Sequence, residues 1–358
     1  MTVVDRGLPV AREAFVPALI WVSTSNGYQA VFRDQQPDVW QAAVDGDEPI
    51  VTQVDDGTTP PGQLGHHASS SSSQPSIVAA MLDAADLRPG MTVLEIGTGT
   101  GWTAALLSNR LGDQAVTTVE VDPALTEQAR KALETAGFHP AVIRGDGAEG
   151  YPPHAPYDRV LATCAIGSVP HAWVEQTRPG GQILTPWGTE YCNGALARLT
   201  VAGDGAGSGH FAPVTLAFMR LRAQRTDECP WDDDGPGEPV ESFTALTSGQ
   251  VYELIGPAAF AIGLRVQDCH KVVNEDTLTV RLHDPASGSW ARCTATVGAD
   301  RQPVAQYGPR RLWDEVEAGR AWWIEQDRPA AARFGLTVTA EHQQVWLDEP
   351  ANVLVTVS

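Results

Sequence analysis

Ile77, Val78, Met81, Leu82 and Ala85 recur at the three-to-four-residue spacing that gathers side chains on one face of a helix, and Pro75 stands where a first helical turn tolerates it. A short apolar run at 91–96 follows and predicts a strand buried on both faces. The alternation then continues with a helix over 102–111, a strand over 116–121 and a helix over 123–136 that Gly137 stops. Strands are predicted at 141–144, 159–164 and 182–185, with a helix at 171–178 between the last two. Such alternation predicts a doubly wound α/β sheet. Residues 195–201 and 214–222 flank a Gly-rich turn and predict an antiparallel pair closing that sheet.

Further along, the pattern becomes more β-like. Strands are predicted at 277–282, 290–297 and 336–339 around one helical stretch at 312–324. Six of the eleven tryptophans lie in this part: Trp231, Trp290, Trp313, Trp322, Trp323 and Trp346. They suit a packed core or a substrate-gripping surface, and no chemistry is assigned to them. Two punctuated stretches divide the chain. Residues 55–73 (DDGTTPPGQLGHHASSSSS) favour turns and flexible backbone, and residues 227–239 (DECPWDDDGPGEP) hold six acids and no base, as a solvated linker does. The expected organisation is an N-terminal segment with a serine-rich loop (1–73), a ligand-binding α/β domain (74–226), and an acidic linker with a C-terminal mixed, β-rich extension (227–358).

Charge narrows the partners. With 44 acidic and 24 basic residues the formal charge is −20, a field that repels phosphate backbones and anionic lipid surfaces. No nucleic-acid and no membrane partner is expected. The chain shows neither a signal-peptide pattern nor a membrane-length apolar run, which predicts a soluble cytoplasmic protein, a monomer by default. Cys164, Cys192, Cys229, Cys269 and Cys293 are widely spaced with no C-x-x-C pair, which fits reduced thiols. No metal site is indicated: there is no H-E-x-x-H motif, and His66 and His67 read as a solvated pair.

The chemistry concentrates in VLEIGTGTG, residues 93–101, at the junction of the first strand and its helix. Gly97, Gly99 and Gly101 let the backbone turn tightly and approach a ligand, and the next helix presents free N–H groups. A dinucleotide fingerprint would place Gly or Ala at position 102, where Trp102 would crowd a pyrophosphate. Glu120, ending the second strand, can accept hydrogen bonds from both hydroxyls of a ribose. Asp146, in the run GDG after the third strand, can accept one from an adenine amino group. A glycine turn with two such acids and no phosphate-binding lysine points to S-adenosylmethionine as cofactor, with S-adenosylhomocysteine as product.

These residues resemble a known family. VLEIGTGTGW, VEVDP, GDGAEGYPPHAPYDRVLAT and VPHAWVEQTRPGG are similar, in order and spacing, to protein-L-isoaspartate O-methyltransferase, as are REAFVP (12–17) and SSQPSIVAAML (72–82). The resemblance implies a class I S-adenosylmethionine-dependent methyltransferase fold, Rossmann-like and doubly wound. It implies Ser73 as the serine beside the transferred methyl and the substrate carboxyl. Further cofactor contacts are implied for Ser71, Ser72, Glu95, Thr98, Val121, Gly147 and Thr163, with Cys164 and Ala165 lining the same crevice. A carboxylate acceptor is already ionised at neutral pH and asks for orientation rather than a strong general base, so Cys164 is not expected to act as a nucleophile.

The chain departs from the family in two places: residues 45–73 look expanded, and a long stretch follows Arg225. Both additions resemble the isoaspartyl-methyltransferase-like enzymes of lanthipeptide and ATP-grasp-ligated peptide maturation. That resemblance implies methylation of an aspartate in a macrocyclic or otherwise constrained, ribosomally synthesised peptide, with the ester closing to a succinimide (aspartimide) and opening to isoaspartate. The alternatives are a protein-L-isoaspartate repair methyltransferase and a non-enzymatic peptide-binding module with a vestigial cofactor fold. The extension after Arg225 is expected to recognise the acceptor.

Overall fold

The computed structural model of the chain describes residues 8–226 and 237–357; Cys229, Trp231 and most of the acidic 227–239 linker lie outside them. The first unit pairs β1 (Leu19–Thr24) with β2 (Gly27–Phe32), adds helix α1 (Pro37–Asp45), and continues through β3 (Ile50–Val54) and β4 (Ala68–Ser72). Its sheet has the order β2-β1-β3-β4, and Ile20, Val31, Trp40 and Val44 form its core. The serine run expected to be a loop is therefore largely a strand, with Ser72 opposite Ile50 and Ser71 opposite Val51. Composition reads such a run as a turn because it has no apolar face, and the neighbours supply what it lacks. Buried Ser72 accepts from Arg12 Nε at 3.0 Å, and the Thr52 hydroxyl donates to Ser70 at 3.3 Å.

The second unit alternates as expected. Its elements are α2 (Pro75–Ala84), β5 (Val93–Ile96), α3 (Trp102–Leu111), β6 (Val116–Glu120), α4 (Pro123–Thr135), β7 (Ala141–Arg144), β8 (Tyr157–Ala162), α5 (His171–Glu175), β9 (Thr177–Trp187), β10 (Ala195–Val201) and β11 (Gly207–Thr215). Two boundaries differ from expectation. Helix α5 is shorter because residue 177 already begins β9, whose run through Pro179, Gly180 and Gly181 cannot stay helical. The strand expected at 214–222 is displaced to Gly207–Thr215, and the chain beyond it leaves the sheet to pair with the loop after β8. There Ala165 N–H donates to Met219 O and Leu221 N–H to Ala165 O, both at 2.8 Å.

The C-terminal part contains β12 (Val240–Thr244), α6 (Ser248–Ile255), α7 (Ala259–Arg265), β13 (His270–Asn274), β14 (Thr279–Asp284), β15 (Ser289–Thr294), β16 (Gln302–Tyr307), α8 (Leu312–Glu325), β17 (Phe334–Val338), β18 (Gln343–Leu347) and β19 (Val353–Val357). Strands β12 to β16 form an antiparallel sheet in the order β12-β16-β15-β14-β13, while β17 to β19 return to the central sheet. That sheet has ten strands, β19-β18-β17-β11-β10-β9-β8-β5-β6-β7. The expected boundary near 226 thus does not separate two cores. Phe260 of α7 packs edge-on against Phe211 of β11 at 4.9 Å and Phe334 of β17 at 5.4 Å, and lies 6.0 Å from Trp187 of β9. Trp290, Trp313, Trp323 and Trp346 are buried, so these tryptophans belong to the packed interior. Among the described residues no helix is long and apolar enough to cross a membrane.

A chain ending at Thr226 would lose the β17 partner of β11, with its Gly209–Leu336 and His210–Gly335 pairs, and the aromatic cover of Trp187 and Phe211. Loss of one buried Phe alone costs about 3–5 kcal/mol. Such a truncation is expected to aggregate or unfold rather than survive as a cofactor-binding domain. Size-exclusion chromatography and circular dichroism check this, and a soluble truncation with one cooperative unfolding transition would contradict it.

Candidate functional site

Strands β8, β5 and β6 are parallel neighbours whose carboxyl ends meet at one edge, where the connections diverge to opposite sides. The loop leaving β5 carries Gly97, Gly99 and Gly101 at φ of 93°, 53° and 89°, conformations that side chains with a Cβ resist. A Cβ on Gly97 would come within 2.9 Å of Thr163 Oγ1. Without it, the Thr163 hydroxyl donates to Gly97 O at 2.5 Å and ties the ends of β5 and β8 together. Gly101 precedes helix α3 and has no side chain to cap it, which leaves N–H groups of its first turn available to a ligand.

Glu120 closes the other side. Its carboxylate accepts from Gly99 N–H at 2.9 Å and from Asp122 N–H at 3.0 Å, which orients it at the end of β6. Ser71, Ser73, Gly97, Thr98, Gly99, Glu120, Val121, Gly147, Thr163 and Cys164 line one cavity. Five other expected site residues do not, Ala165 among them, which is fully buried and paired through its backbone with Met219 and Leu221. Ser72 points to the opposite side of β4, as the pleat requires, and meets Arg12. Gly101 packs toward Leu133 beneath the loop. Asp146 is exposed and accepts from Ala148 N–H at 2.9 Å, capping a short turn. Glu95 is wholly buried in β5.

Burial pushes the Glu95 carboxyl up to about 8, and the nearby Glu120 charge acts in the same direction. Burial also pushes the Cys164 thiol up to about 12, the opposite of what a thiolate nucleophile needs. Burial works against the charge on Asp122, but hydrogen bonds from Leu125 N–H, Gln53, Arg222 and Ala124 N–H outweigh it and hold this carboxyl below its usual range.

One feature of the site is absent from the sequence reading. Arg222 donates to Asp122 and Gln53 at 3.1 Å each and lies 3.3 Å from Asp56, while Arg225 contacts both Asp56 oxygens at 2.8 and 2.9 Å. These contacts form a strap of charge from the start of α4 to the turn after β3, across the cavity mouth. Arg220, Arg222 and Arg225 all line the cavity. The only sequence signal was the run RLRAQR in an acid-rich chain. Among the described residues no group of three or more His, Cys, Asp or Glu side chains is placed to hold a metal ion.

A family model, protein-L-isoaspartate(D-aspartate) O-methyltransferase (PCMT), matches residues 60–212. The protein-L-isoaspartate O-methyltransferase of Gloeobacter violaceus is 37% identical over 169 residues, covering 47% of this chain and 80% of that protein. The chain belongs to the protein-L-isoaspartate O-methyltransferase family. The relative from Thermococcus onnurineus is 46% identical over 136 residues, covering 37% of this chain and 61% of that protein. A solved protein-L-isoaspartate O-methyltransferase superimposes with a TM-score of 0.51 at 19% identity, covering 95% of this chain and 93% of that one. The fold is the class I S-adenosylmethionine-dependent methyltransferase fold with a β-rich C-terminal extension. That likeness in fold extends over the C-terminal part as well as the α/β domain.

The buried Glu95 gives a pH test. Its carboxyl stays protonated in the folded chain up to about 8, whereas in the unfolded chain it ionises from its ordinary value of 4.5. The unfolded state therefore holds fewer protons between those limits, and stability falls as pH rises through that window, by up to about 1.4 kcal/mol per pH unit. Glu95→Gln should flatten this dependence and match or exceed the parent at pH 8 in urea unfolding. Equal slopes for the two proteins would show that Glu95 is not neutral when folded.

Proposed function

We propose that the chain is an S-adenosylmethionine-dependent carboxyl O-methyltransferase acting on isoaspartyl residues in peptides or proteins. The observation that supports this reading best is a single cavity joining the glycine loop and Glu120 to the serine strand end, with Ser71 and Ser73 facing in. The donor set suits the cofactor: a carboxylate at the end of β6 for a ribose diol, left-handed glycines for close backbone approach, and the uncapped start of α3. When bound, the cofactor supplies an electrophilic methyl group on a sulfonium.

The chain's own residues position the acceptor. Ser73 stands between β4 and α2, with Pro75 opening the helix, so its hydroxyl is set on a rigid junction rather than a mobile loop. It can hold one carboxylate oxygen and leave the other free to react. No general base is needed, because the acceptor is ionised at neutral pH. A methyl ester beside a backbone amide then cyclises to a succinimide with loss of methanol, and hydrolysis opens the ring to aspartate or isoaspartate.

A second reading, esterification of an ordinary aspartate in a constrained ribosomal peptide, draws on the groove beside the cofactor cavity. Its walls come from Asp55, Asp56, His67 and Ser69 of the expanded segment and from His270 of the C-terminal part. Mass spectrometry on a linear isoaspartyl peptide and on a cyclised peptide with ordinary aspartate separates the two readings: a methyl ester on the former supports isoaspartyl methylation, and reaction confined to the latter supports the second reading.

For either acceptor, Glu120→Ala should weaken cofactor binding by about 1–3 kcal/mol, the usual loss for a charge-assisted hydrogen bond. Ser73→Ala should instead lower turnover by about tenfold or more at nearly unchanged cofactor affinity. Calorimetry and initial rates on folded variants check both. Unaltered affinity in the first, or unaltered kcat in the second, removes that residue from its role.

A further inference from the structure

The cofactor cavity does not end at Ser73. It shares Ser69, Met219, Arg220 and Arg225 with a groove of about 550 Å³. That groove in turn shares Glu190 and Arg220 with a second cavity of about 360 Å³ against the C-terminal part. The partition between groove and second cavity is an ion pair, Arg220 Nε to Glu190 Oε1 at 2.9 Å, with His270 Nδ1 at 3.8 Å from the other Glu190 oxygen. The three cavities therefore adjoin one another from the serine strand end to the C-terminal part.

The chemistry of the second cavity selects an occupant. Val355 and Val357 of β19, both half-buried, supply apolar wall, with the buried Trp187 of β9 and Leu264 of α7 behind it. Its charged lining is Glu190, Arg220 and Asp268. Arg220 is neutralised by Glu190, while Asp268 is exposed and has no ion-pair partner among the described residues. The lining thus carries one uncompensated negative charge beside aliphatic surface. This arrangement suits a side chain with an apolar stem and a cationic head. The formal charge of −20 on the whole chain favours a cationic ligand in the same sense.

We propose that the acceptor chain runs from Ser73 across the Arg220–Glu190 pair and seats a lysine or arginine side chain in the second cavity, its stem along Val355 and Val357 and its charge at Asp268. This rests on the carboxyl methyltransferase reading and adds to it a preference for acceptors with a basic residue at a set distance from the reacting carboxylate. The apolar and ionic contacts together correspond to about a five- to tenfold preference.

The test uses the full chain and a series of isoaspartyl peptides of Gly and Ser in which one Lys, or one Glu, is moved along the sequence. At one register, the Lys peptide should show a KM about five- to tenfold below its Glu counterpart at similar kcat. Asp268→Asn, tolerated at that residue's φ of 54°, should remove the preference, and Thr356→Trp, at an exposed position on the rim, should block the cavity. Fluorescence anisotropy with labelled Lys and Glu peptides lacking isoaspartate measures the same preference without turnover.

No preference for Lys at any register, or a preference unchanged in Asp268→Asn, overturns the proposal. Binding of Lys peptides that depends on Asp268, without methylation of any isoaspartyl peptide, leaves the cavity assignment standing and overturns the reading of the activity. Methylation of isoaspartyl peptides regardless of Lys does the reverse.

Discussion

At the carboxyl ends of β5, β6 and β8 the sheet runs out of strand partners for its backbone, and the following loops must meet each exposed group. Thr163 N–H donates to Ile96 O at 2.8 Å, and Gly97 N–H donates to Val119 O at 2.9 Å. Gly99 and Asp122 direct their N–H groups to Glu120. The loops are thereby held open around a concave edge rather than collapsed over it. Unpaired buried backbone is costly, so the stability of this edge and the shape of the cavity are satisfied by the same bonds.

A second constraint fixes the serine strand against that edge. The Arg12 guanidinium is buried, and it donates to Ser72 Oγ at 3.0 Å, Ser72 O at 2.7 Å and Glu48 O at 2.9 Å. Burial lowers its pKa to about 10, still far above neutral, so the cation persists and its hydrogen bonds are charge-assisted. Anchoring Ser72 on Arg12 holds in place the strand whose Ser69, Ser70 and Ser71, with Ser73 just beyond it, line the cavity. A residue sixty positions away thus fixes the serine side of the cavity.

The C-terminal part contributes through packing rather than as an appended module. Phe260, Phe211, Phe334 and Trp187 interlock across the 227–239 stretch, and β17 to β19 widen the sheet that carries the glycine loop. Such a shared core ties the geometry of the groove at His270 and Glu190 to that of the cofactor cavity. Motion of one against the other would break aromatic contacts that fill the interior closely.

Local spacing made the alternating strands and helices, the left-handed glycine loop and Glu120 readable from the sequence, because each depends on residues within one supersecondary unit. The positions of Ser73 and Thr163 followed from family resemblance and agree with the cavity lining. Other features depended on contacts between residues far apart in the chain. The serine run became a strand through β3 and Arg12, Asp146 turned to cap its own loop, and Glu95 sank beneath the site. The arginine strap and the return of β17 to β11 join residues one hundred or more positions apart. No local periodicity encodes such meetings, since burial and charge pairing are decided only when the sheet brings the partners together.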